Sequence, residues 1–119
     1  MKSVLLASVI LFSSMAGAVM AQDKGVVEIV TMSLRDDVSV ESFAAVDRAV
    51  EDQHVSKQPG FISRETAVSG HKWLVVVHWK SAEAAQASMD TFVDAPSASE
   101  FMGMIDASTM TMTRYDVVR

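Results

Sequence analysis

Three histidines, two tryptophans, one tyrosine and two strand-borne arginines are the side chains of this chain best suited to chemistry. His78 closes the apolar run Trp73-Leu74-Val75-Val76-Val77-His78-Trp79. An imidazole is the side chain that exchanges a proton near neutral pH, so His78 is a candidate catalytic proton acceptor. The alternative is a core or interface histidine with a backbone partner. His54 ends an apolar stripe near a helix C-terminus, where an imidazolium complements the helix dipole; it is either structural or ligand-binding. His71, between Gly70 and Lys72, reads as a solvated turn residue. Arg64 stands between Ser63 and Glu65, and Arg114 beside Tyr115. A strand arginine can pin an anionic ligand oxygen, or pair with a carboxylate such as Glu28 or Glu65 across the sheet. Tyr115 can donate to a ligand oxygen. Trp73 and Trp79 share one face of their strand roughly 20 Å apart, too far to stack together. Each is a packing residue or a flank for an aromatic ligand.

Other chemistries are poorly served. With no Cys there is no thiolate nucleophile, no disulfide and no lipid-bearing residue. Nine methionines raise the possibility of a soft-metal site, since thioethers suit Cu(I). Met110 and Met112 share a strand face, but Met102 and Met104 do not fit one helical face, and no His-x-x-His spacing accompanies them. They read as adaptable packing, and no metal is expected. A net charge of −5 argues against a nucleic-acid partner, which requires a basic footprint.

The first residues have the form of an export leader. Lys2 supplies a positive charge, Val4 to Phe12 an uncharged apolar run, and small residues follow, with Ala16-Gly17-Ala18 or Val19-Met20-Ala21 as cleavage sites. The run is shorter than the roughly 18–20 residues that span a bilayer, so residues 1–21 are expected to be a signal peptide. An uncleaved anchor is the alternative. Residues 22–119 then form a single small domain, periplasmic or secreted, with no membrane attachment after cleavage. Removing one Lys and no acid makes it one unit more acidic than the whole chain.

The elements that must position the candidate groups follow from periodicity. Val26 to Leu34 alternates as a strand. Ser39 caps a helix running to about His54 or Val55, with Val40, Phe43, Val46, Val50 and His54 on its apolar stripe. Pro59-Gly60 launches a second strand, Phe61 to Ala67. A turn at Ser69 to Lys72 leads into a third, Trp73 to Trp79, whose near-continuous apolar character implies burial on both faces. Ser81 caps a second helix through about Phe92. Ser97-Ala98-Ser99-Glu100 predicts a capping box opening a short third helix, and Thr109 to Val118 a last strand. The order β-α-β-β-α-(α)-β is a ferredoxin-like α+β sandwich, with helices on one sheet face and the other face left for a second copy.

Gln58-Pro59-Gly60-Phe61-Ile62-Ser63-Arg64-Glu65, the Trp73–Trp79 strand and the helix opened by Lys80-Ser81-Ala82-Glu83 together resemble the antibiotic biosynthesis monooxygenase (ABM)-like family of dimeric α+β barrels. The resemblance covers most of residues 22–119 and is sharpest between Pro59 and Phe92. It implies a homodimeric barrel. It also implies oxidation of a small aromatic or quinol compound by O₂ without metal or flavin, so no cofactor is expected. His78 would then accept the phenolic proton, Arg64 and Tyr115 would orient the substrate, and Trp73, Trp79 and His54 would flank it. A non-catalytic periplasmic carrier of a small apolar ligand, or a dimer whose cavity is filled by its own side chains, is the rival expectation. A related branch degrades haem with an Asn, a Trp and a His. This chain contains no Asn, which disfavours that reaction but leaves haem binding through His54 or His78 open.

Overall fold

A computed structural model describes residues 24–119. The leader assigned to residues 1–21, and with it the location, lies outside the described residues. Four strands, β1 (Val26–Leu34), β2 (Phe61–Ser69), β3 (Lys72–Trp79) and β4 (Ile105–Asp116), form one antiparallel sheet in the order β2-β3-β1-β4. Helices α1 (Val40–Gln53), α2 (Ala82–Asp90) and α3 (Ala98–Gly103) complete the ferredoxin-like α+β fold.

Alternation decides which side chains meet the helices. Val26, Glu28, Met32 and Leu34 of β1 are buried, as are Trp73, Val75, Val77 and Trp79 of β3. Against them pack Phe43, Val46 and Val50 of α1, Ala85 of α2 and Phe101 of α3. The opposite face carries Val27, Ile29 and Thr31 of β1 beside Leu74, Val76 and His78 of β3. On its flanks lie Thr111, Thr113 and Tyr115 of β4 and Ser63, Glu65 and Ala67 of β2. No described element covers this face.

Local chemistry fixes the joints. Ser39 Oγ accepts from the Ser42 amide at 3.1 Å, and Ser81 Oγ from the Ala84 amide at 3.1 Å. These are the missing first-turn acceptors of α1 and α2. Gly60 enters β2 at φ +86°, and a Cβ there would sit 2.6 Å from the Ala84 Cβ. Only glycine therefore lets β2 start hard against α2.

β2 runs two residues past the expected Ala67, to Ser69, and the later elements depart further from expectation. The α-helix after Ser81 stops at Asp90 with Thr91 as its C-cap; from there the bonds tighten to i→i−3, Asp94 N to Thr91 O and Ala95 N to Phe92 O, and Phe92–Asp94 form a 3₁₀ turn. Ser97 makes no side-chain cap. Its amide donates to Gln53 Oε1 of α1, so a tertiary contact replaces the capping box. The last strand begins at Ile105 and ends at Asp116. Ile105 and Asp106 pair with Leu34 and Ser33 before the register breaks. There the Asp106 carboxylate accepts from both the Ser108 amide and hydroxyl, and Thr109 Oγ1 accepts from the Ser33 amide. A polar Asp-Ala-Ser run reads as loop in sequence yet is accommodated as an irregularity within the strand.

Candidate functional site

Between sheet and helices lies a cavity of about 250 Å³. Its floor is Val30, Met32, Val75 and Val77, and its far wall Val50, Phe92 and Phe101. Met89, Val93 and Met102 also line it. Val93 is 77% exposed, and Met89 and Met102 are partly exposed, so the mouth opens through an apolar rim.

Three polar or charged residues line this otherwise apolar space: Glu28, Arg64 and Ser88. Glu28 projects from the helix-facing side of β1 and is 4% exposed. Its Oε2 accepts from Arg114 Nε at 2.8 Å, and its Oε1 from the indole Nε1 of Trp79 at 3.3 Å. Antiparallel register puts Arg114 directly opposite Glu28, and Arg114 Nη1 reaches on to Gln86 Oε1 of α2 at 2.8 Å. Its Nη2 is buried with no hydrogen-bond partner among the described residues. A carboxylate has about four lone-pair sites, so two bonds leave Glu28, a residue of the cavity lining, with acceptor capacity.

Arg64 lies on the same sheet face. It is held by Asp47 through a bidentate pair, 2.8 Å at each nitrogen, and by Glu51 at 3.0 Å. Burial works to lower its pKa, but hydrogen bonds and charge from Asp47, then from Glu51, outweigh that and raise it. The partners come from α1, not from Glu28 or Glu65 as strand pairing suggested. Glu28 instead serves Arg114.

The other candidates are distributed differently. Trp79, 1% exposed, lines the cavity and orients Glu28. Trp73 shares its sheet face but packs edge-on against Phe43 at 4.9 Å and does not line the cavity. His54 is buried behind the cavity wall. Its Nε2 donates to Ser88 O at 3.1 Å and its Nδ1 accepts from Gln58 Nε2 at 3.3 Å, tying the end of α1 to α2. His78 and Tyr115 lie on the open face, both beside Val27, with the sheet between them and Arg64. The expected trio of His78, Arg64 and Tyr115 therefore does not converge within one chain. His71 is exposed in the β2–β3 turn. Of the late methionines, Met102 and Met110 line the cavity and Met104 and Met112 do not. Among the described residues no cluster of three or more His, Asp or Glu could hold a metal ion, and no helix is long and apolar enough to cross a membrane.

Glu28 and its Arg114–Trp79 setting are what sequence reasoning missed as a site. The signal was present: an acid occupying an apolar-face position of an alternating strand must be paired or functional.

No protein-family model matches the chain, and no curated protein sequence matches it. Solved structures do. SnoaB, a cofactor-independent oxygenase from Streptomyces nogalater, superposes with a TM-score of 0.66 at 13% identity, over 81% of this chain and 95% of SnoaB. A Caulobacter crescentus protein assigned as an antibiotic biosynthesis monooxygenase gives 0.64 at 15% identity, over 87% and 99%. A similarly assigned protein from Nitrosomonas europaea gives 0.63 at 17%, over 82% and 93%. The chain has the ABM-like fold that its Pro59–Phe92 segment resembles.

Proposed function

We propose that this chain is a cofactor-independent monooxygenase acting on a small aromatic or quinol compound, working as a homodimer whose subunits meet through their open sheet faces. The fold shared with a cofactor-independent oxygenase supports the reaction class. The observation that carries the reading is the cavity itself: apolar walls enclosing one buried carboxylate with spare acceptor capacity. Its volume, below the ~300–1,000 Å³ of pockets for drug-sized ligands, suits a compound of about two fused rings.

The physical demands of such a reaction match those walls. A deprotonated quinol is electron-rich enough to reduce O₂ directly. One oxygen atom enters the product and the other leaves as water, with every electron drawn from the substrate. The protein's part is to exclude water, hold the ring and accept the hydroxyl proton. Val30, Val75, Val77, Phe92 and Phe101 provide the dry wall, and Trp79 a ring face and a fixed hydrogen bond to Glu28. The open face centres on Val27, Ile29, Leu74 and Val76. A dimer across it would place His78 and Tyr115 in the interface.

Oxygen uptake and absorbance, followed together on the purified protein with quinols and anthrones and no added metal or flavin, test the reaction. Uptake should exceed that of Val30→Phe, which fills the cavity, provided circular dichroism shows the variant folded. Ligand spectra that change without oxygen consumption would replace the enzyme with a carrier. No response to any compound would sink both.

A further inference from the structure

We propose that Glu28 makes the cavity selective for neutral hydroxylated aromatic ligands: the ligand's hydroxyl donates to Glu28, and ligands bearing a carboxylate are rejected. This rests on the cavity being the ligand site, as in the proposed function, but not on catalysis.

Charge arrangement carries the selectivity. Every other residue lining the cavity is apolar apart from Arg64 and Ser88. The Arg64 guanidinium is committed to Asp47 and Glu51, so it offers an incoming anion no uncompensated charge. The Arg114 guanidinium is held by Glu28 and Gln86. A ligand carboxylate would be desolvated beside Glu28, whose charge Arg114 already balances, and beside Arg64, which two acids outnumber, so no uncompensated cation receives it. A hydroxyl meets the opposite situation. It supplies the donor that a half-saturated buried carboxylate lacks, in a low-dielectric setting where such a charge-assisted bond is strong. Trp79 and Arg114 fix both carboxylate oxygens, so Glu28 need not reorganise to receive it.

Three ligands of one shape and different oxygen chemistry test this on the full chain: 2-naphthol, 2-methoxynaphthalene and 2-naphthoate, titrated calorimetrically at neutral pH. Naphthol should bind about tenfold tighter than the methyl ether, which cannot donate to Glu28. Naphthoate should bind about a hundredfold weaker than naphthol. In Glu28→Gln the advantage of naphthol over the ether should shrink to within about threefold. The naphthoate penalty should vanish with it, because Arg114 then carries an unpaired charge. Equal binding of naphthol and ether by the unaltered protein would overturn the proposal without any variant. So would naphthoate binding as tightly as naphthol. Failure of all three to bind would remove the cavity as a ligand site, and the monooxygenase reading with it. Selective binding without oxygen uptake on quinols would leave this inference standing and remove only the reaction.

Discussion

Arg64 and Glu28 occupy one face of the sheet, each as half of a buried ion pair, and they do different things. Arg64 is 4% exposed at its side chain and held by two acids of α1, so it fastens β2 to that helix. Glu28 lines the cavity and keeps acceptor capacity. Removing one partner of a buried pair is more damaging than removing both, because the survivor stays charged and desolvated. Arg64→Met should therefore cost about 3–5 kcal/mol in urea denaturation, while Arg64→Met with Asp47→Leu should recover most of the loss. Equal destabilisation by the single and double variants would show instead that packing of the arginine stem dominates. The sequence made Arg64 visible as a strand arginine but hid its partners. Asp47 sits on the buried side of α1, four residues before Glu51, and nothing local says that either faces β2.

Most elements were legible because their signals are local. Alternation marks β1, a β-branched run marks β3, and serines at N-cap positions mark α1 and α2. The short α3 was also foreseen, but through a capping box that is not formed. The two serines make a discriminating pair. Ser81→Ala should lower stability by about 1 kcal/mol, since it frees the Ala84 amide at the start of α2. Ser97→Ala should change it by less than about 0.5 kcal/mol, since its hydroxyl caps nothing. Thermal denaturation of both variants checks this, and equal losses would mean that Ser97 caps α3 in solution. The last strand was missed over its first four residues because its irregularity is stabilised by side-chain bonds from Asp106 and Thr109. Propensity reads those residues as turn formers.

At the scale of the whole molecule, a sheet covered on one side leaves an apolar centre of Val27, Ile29, Leu74 and Val76 on the other. A small domain gains stability by burying such a face against a second copy. Sedimentation velocity should therefore find dimers at micromolar concentration, and Val76→Lys should yield folded monomers. A monomeric wild-type chain would return His78 and Tyr115 to the exposed surface and remove the proposed interface. By itself the sequence determined the element order, the ferredoxin-like α+β class and the two faces of each strand. Those follow from periods of 2 and 3.6 residues and from caps, all written within a few neighbours along the chain. Only the tertiary structure decided the site. Whether an acid on a buried face finds a partner, and whether a histidine and an arginine share a cavity or stand on opposite sides of a sheet, depends on register between strands distant in sequence. That register paired Glu28 with Arg114, sent Arg64 to α1 and left His78 on the face away from the cavity.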